Sequence, residues 1–128
     1  MPTIIKPFIE PEILSQIQSE ISTEQQVIVH CCLKSDFAVG ILIRIWRTTY
    51  LLDTQSSHKS RLLFADNICL NPDWIEVPFV KEYWFTLIFS GLPKDCTHFD
   101  FAEIIPEEGG FYVPNIQRNG TDVYSINI

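Results

Sequence analysis

The chain has 128 residues, 46% hydrophobic and 12% aromatic, with 16 acidic and 9 basic side chains giving a formal net charge of −7. That length suits one domain that buries about two-thirds of its unfolded surface, and the apolar content argues against general disorder. No run of Lys or Arg exists to release phosphate counterions, so nucleic acids and anionic membranes are poor partners, and the acidity reads as serving solubility.

Residues 1–12 hold Pro2, Pro7 and Pro11 and read as an extended lead-in to a single domain over 1–128. They contain no apolar core or small-residue cleavage site of a secretory leader. The chain as it stands therefore reads as cytoplasmic, and as exported if a leader has been removed. No apolar stretch approaches the length of a spanning helix, which argues against membrane insertion. Residues 12–21, EILSQIQSEI, stay open between two readings. Ile13, Leu14, Ile17 and Ile21 fit a helix, whereas Ile17, Ser19 and Ile21 alternate as in a strand, which is the favoured reading.

From residue 25 the period is two. QQVIVHCCL (25–33) sets Val27, Val29, Cys31 and Leu33 on one face and Ile28, His30 and Cys32 on the other. FAVGILIRIW (37–46) is β-branched, with Gly40 a candidate bulge, and RTTYLLD (47–53) continues it or forms a further strand. TQSSHKS (54–60) reads as a polar loop, and RLLFADNICL (61–70) as a strand closed by Asn71-Pro72. EYWFTLIFSGL (82–92) is the strongest strand pattern, with Phe85, Leu87 and Phe89 facing one way and Trp84, Thr86 and Ile88 the other. HFDFAEII (98–105) follows, then the turn PEEGG (106–110). Asn119-Gly120 between FYVPNIQR and TDVYSINI predicts a two-residue hairpin turn joining 111–118 to 121–128. Seven or eight strands at this spacing, with little helical pattern between them, predict an all-β antiparallel sandwich.

Thr48-Thr49-Tyr50-Leu51, Leu62-Leu63-Phe64-Ala65, Phe85-Thr86-Leu87-Ile88-Phe89 with Leu92-Pro93-Lys94, and Phe99-Asp100-Phe101 with Glu103 occur in that order. This succession, over residues 41–103, resembles uncharacterised bacterial β-sandwich accessory domains. The resemblance implies an immunoglobulin-like sandwich and no known catalytic residues.

Chemistry-bearing residues recur in two places. His30 and Cys32, like Cys96 and His98, are spaced i, i+2 and share a strand face. Two neighbouring strands would bring these four together as a tetrahedral metal set. Against it, no tight Cys-x₂₋₄-Cys knuckle is present, and Cys packs readily as a small hydrophobe. The expectation is packing, with neither metal nor disulfide. His58 lies beside Ser56, Ser57 and Ser60, but adjacency in a loop does not make a Ser–His catalytic pair, so a solvated loop is expected. Glu107 and Glu108 read as a solvated turn and Asp100 as a loop hydrogen-bond acceptor. Trp46, Trp74, Trp84 and Tyr83 are expected mainly to pack, with Trp74 and Tyr83 as the candidates for a binding surface.

No catalytic set and no cofactor site emerge. The sequence points to a non-enzymatic binding or protein-interaction module whose partner is a protein or a second copy of itself. The alternative is a metal protein or enzyme built on His30, Cys32, Cys96 and His98.

Overall fold

The computed structural model describes residues 25–34, 41–78 and 80–128. The lead-in at 1–12, the segment 12–21 and Gly40 fall outside the described residues. Among the described residues there is no helix, and so none long and apolar enough to cross a membrane. Nine strands follow in order: β1 (Val27–Lys34), β2 (Ile41–Ile43), β3 (Thr49–Asp53), β4 (Lys59–Asp66), β5 (Ile75–Val77), β6 (Glu82–Phe89), β7 (His98–Glu103), β8 (Tyr112–Gln117) and β9 (Val123–Asn127).

Seven of these form one sheet in the order β8-β7-β3-β4-β6-β1-β9, and β2 and β5 form a second, two-stranded sheet. Every pairing between strands is antiparallel except β1 with β9, which run parallel. The sheet is therefore mixed, not antiparallel throughout, and the strands among the described residues number nine rather than seven or eight. β5 is the addition, three residues too short to show a period.

Some boundaries also move. Lys59 and Ser60, expected in a loop, begin β4 by pairing with Leu52 and Leu51. That strand ends at Asp66 rather than near residue 70, because Asn67 takes a left-handed φ of 63°. Ile68–Leu70 then leaves the sheet, and Leu70 makes an isolated parallel bridge to Ile45.

The alternation read from the sequence selects the core. Val27, Val29 and Cys31 of β1, Phe85, Leu87 and Phe89 of β6, and Phe99 and Phe101 of β7 are fully buried in one cluster. Ile43, Ile45, Ile68 and Val77, from the segments around the small sheet, enter the same cluster, so β2 and β5 lie against the core side of the large sheet. In β4 a bulge between Leu62 and Phe64 resets the alternation. Leu62 is therefore buried while Phe64 is exposed.

Ring contacts show how far the large sheet curls. Phe99 of β7 and Tyr124 of β9 meet edge-to-face with centroids 4.9 Å apart. Five strand spacings separate β7 from β9, about 24 Å on a flat sheet. Phe89 of β6 likewise reaches Phe101 of β7 at 6.1 Å. The seven strands bend nearly into a barrel, and the interior is filled by these rings.

The expected hairpin at Asn119-Gly120 does not form. β8 and β9 are not paired, and β9 crosses to lie beside β1. The residue with left-handed φ in this connection is Asp122, at 53°. The Asn119 side chain organises the loop instead. Its Oδ1 accepts the N–H groups of Thr121 (3.0 Å) and Asp122 (2.8 Å), and its Nδ2 donates to the Val123 carbonyl at 2.8 Å. Joining β1 lets Tyr124 and Ile126 enter the core.

Candidate functional site

Of the His and Cys residues expected to share strand faces, only His30 and Cys32 do so, since Cys96 lies before β7 and in the core cluster. His30 lies on the outer face of β1 with Nδ1 2.8 Å from Thr86 Oγ1, which supplies the structural role that its sequence context lacked. Cys32 is buried on the same outer face, opposite Trp84. Cys96 and His98 lie before and at the start of β7, which is separated from β1 in the sheet by β3, β4 and β6. Among the described residues no three His, Cys, Asp or Glu side chains converge as a metal set. The four cysteines are free thiols.

Cys96 and His98 instead line a polar pocket of about 740 Å³ at one end of the curled sheet, between the end of β8 at Gln117 and the loop Asn119–Asp122 that leads into β9. An ion pair braces its wall. Arg118 Nε and Nη2 donate to the two carboxylate oxygens of Asp122 at 3.1 and 3.0 Å, and Nη1 donates to the Pro93 carbonyl. Tyr124 Oη donates to the same carboxylate at 2.9 Å and accepts the Asn119 N–H at 3.0 Å. Burial, ahead of the other influences, pushes the Tyr124 phenol up to about 12. One network thus ties the β6–β7 loop, the β8–β9 loop and a core aromatic together.

The pocket thiol is not an activated nucleophile. Burial first, and the Asp53 carboxylate second, push Cys96 up to about 11, so the thiolate is scarce at neutral pH. His58 is half-buried rather than in the solvated loop expected for it, with Nε2 3.0 Å from Ser60 Oγ and 3.1 Å from the Gly91 carbonyl. The buried Ser60 hydroxyl donates to that same carbonyl at 3.0 Å. A ring nitrogen bonded to a carbonyl is the donor, so Nε2 does not act as a base toward Ser60.

The tryptophans divide as the sequence suggested only in part. Tyr83 is 8% exposed, with its hydroxyl donating to the Asn67 carbonyl at 2.7 Å. It is a core residue and not a binding surface. Trp74 is 51% exposed. Between Trp74 and Trp46 lies the Arg44 guanidinium, its Cζ 3.8 Å from the Trp74 ring centroid and 5.6 Å from that of Trp46. These three border a cleft of about 170 Å³ whose other wall includes Glu103 and Glu107.

Glu103 accepts the N–H groups of Trp46 and Phe111 at 3.0 and 3.1 Å. Its burial raises its pKa against the lowering effect of those bonds. Arg44 is held loosely. It reaches Glu107 at 3.9 Å and the Pro72 carbonyl at 3.3 Å. An exposed cation–π contact contributes about 0.5–1 kcal/mol and an exposed ion pair at most about 1 kcal/mol. The signal for this cleft was visible in the sequence as Arg44, a lone cation inside FAVGILIRIW.

Among the described residues the large sheet ends at β8 and at β9, and of these edges the sequence marks only β8, through Pro114. On β8, Pro114 has no N–H to offer, and Asn115, with φ 56°, donates its N–H to Asp100 Oδ1 at 2.8 Å. On β9, the parallel ladder uses alternate residues, as the bonds Ile28 N to Asp122 O and Ile128 N to Cys32 O show. Val123, Ser125 and Asn127 therefore turn their N–H and C=O groups away from β1. Asn119 occupies the Val123 carbonyl, leaving the peptide groups of Ser125 and Asn127 facing outward along an uncharged strand. No family model, curated protein or solved structure matches the chain.

Proposed function

We propose that the protein is a non-enzymatic interaction module that binds an extended segment of a partner protein by strand addition along β9. The observation that carries this reading is the β9 edge, which among the described residues pairs only with β1 and where Ser125 and Asn127 direct donors and acceptors outward. In strand addition, main-chain hydrogen bonds supply affinity and adjoining pockets supply specificity. The polar pocket is bordered by Gly120, Thr121 and Asp122, immediately before β9, so a segment lying on this edge runs toward it. Five residues of edge are too few to bury the roughly 1,200 Å² of a stable dimer, which favours a short peptide over a second copy.

The raised Cys96 pKa and the donor role of His58 support a binding role over catalysis. The resemblance of residues 41–103 to bacterial immunoglobulin-like accessory domains, which implies no known catalytic residues, agrees with it. The metal-protein alternative loses its argument, since its four residues lie apart.

The test is selection of extended peptides from a random display library on the intact protein, followed by binding of the winners to Ser125→Pro. The Ser125 N–H takes no part in the β1 ladder, so proline at this edge position removes a donor only from the open side. Peptides that lose tenfold or more in affinity on Ser125→Pro support the reading. Peptides that bind the variant equally, or a selection that yields none, overturn it.

A further inference from the structure

We propose that the cleft between Trp46 and Trp74 is a second recognition site, for the guanidinium of an arginine side chain on a partner polypeptide, and that Arg44 occupies it as a built-in competitor. The chemistry of the cleft is that of a cation receptor. Two indole rings flank it, and one of them is half-exposed with a guanidinium 3.8 Å from its centroid. The Glu103 carboxylate is fixed in its wall by two backbone N–H groups, and the Glu107 carboxylate stands at its rim. A guanidinium is flat and weakly hydrated, so it stacks on indole faces where an ammonium, more tightly hydrated, does so less well.

The chain's own side chain demonstrates the fit, and its bonds show that it can be displaced. The ion pair to Glu107 spans 3.9 Å and the bond to the Pro72 carbonyl 3.3 Å, both longer than the usual 2.7–2.9 Å or so of a charge-assisted hydrogen bond. An arginine arriving from outside is free to approach Glu103 and Glu107 at shorter range than Arg44, whose backbone is anchored immediately after β2. The partly buried Glu103 carboxylate already feels the charge of Arg44, and a cation brought closer would offset its burial further. Leu42, 58% exposed at the rim, offers an apolar shelf to the residues flanking the incoming arginine, which favours a polypeptide over a free guanidinium compound.

The test is calorimetric titration of wild type and Arg44→Gln with N-acetyl-arginine amide, an arginine-centred pentapeptide and the matching lysine-centred pentapeptide. Removing the competitor is expected to tighten binding of the arginine pentapeptide at least tenfold. That peptide is expected to bind more tightly than the arginine amide and than the lysine peptide, and Trp74→Ala in the Arg44→Gln background should reverse the gain. Arg44→Ala serves as a second variant in case Gln refills the cleft, with thermal melting confirming that each variant is folded. Equal or weaker arginine binding in both Arg44 variants, or no preference for arginine over lysine, overturns the proposal. An amide that binds as tightly as the pentapeptide overturns the polypeptide as its source.

Discussion

The two strands that end the large sheet among the described residues differ in how they meet the hazard of unpaired edges. β8 carries Pro114, a kink at Asn115 and an Asp100 side chain that takes up the one displaced N–H. These are devices that blunt an edge against further pairing. β9 has none of them: Val-Tyr-Ser-Ile-Asn is uncharged, lacks proline and keeps a regular ladder with β1 over five residues. A sheet curled this far would abolish both edges by pairing β8 with β9. Among the described residues it guards one and leaves the other without a second partner strand, and the proposed binding at β9 rests on that asymmetry.

The largest expected effect falls on the core beneath both edges. Leu87 is fully buried on β6, the strand between β4 and β1. Leu87→Ala should lower unfolding free energy by about 2–5 kcal/mol in a denaturant titration. A loss under about 0.5 kcal/mol would mean that the two edges do not share this core.

Next is the brace that sets where β9 begins. Arg118→Ala removes the bidentate pair with Asp122 and the bond to the Pro93 carbonyl, and should destabilise by about 1.5–3 kcal/mol. Amide exchange should quicken in β9 and not in β8, and equal quickening at both edges would contradict the separate anchoring of β9.

Alkali should act in the same region, more gradually. Cys96 and Tyr124 have folded-state pKa values raised to about 11 and about 12, against about 8.5 and 10 in an unfolded chain. Burial also raises the Cys31 thiol. Groups raised on folding stabilise fully below their unfolded pKa, and that stability is lost as pH rises toward the folded value. The melting temperature should therefore hold to about pH 8 and fall progressively from there to pH 11. Cys96→Ala should flatten that fall, and a flat profile in the parent protein would remove the argument from burial.

The smallest effect sharpens the turn that separates the two strands. Gly120 has an ordinary φ, and a Cβ there would meet nothing within 4 Å. Gly120→Val should shift stability by no more than about 0.5 kcal/mol. A hairpin turn of the kind the dipeptide suggests would lose about 1 kcal/mol or more.

Those turn residues mark where sequence reasoning stopped. The faces of β1 and β6 were legible because alternation is local: Val27, Val29, Cys31 and Phe85, Leu87, Phe89 each declare their side without reference to a partner. Asn119-Gly120 misled because the dipeptide speaks for its own loop, whereas β9 chose β1, nearly a hundred residues earlier, by burying Tyr124 and Ile126. β5 was too short to carry a period. Of the candidate site residues, Trp74 was found as an exposed ring, but its pairing with Arg44 needed the fold. Tyr83 looked equivalent to it and proved to be core. An edge has no sequence signature when it is unguarded, since the signature of an edge is the guard itself, as at Pro114.

The most direct test of the β9 assignment is residue-resolved amide hydrogen exchange with and without a selected peptide. Slow exchange is expected at Tyr124 and Ile126 in both states. Ser125 and Asn127 should exchange fast in the free protein and slowly in the complex. Protection of Ser125 and Asn127 without a partner, or fast exchange at both with the peptide bound, would contradict strand addition at this edge.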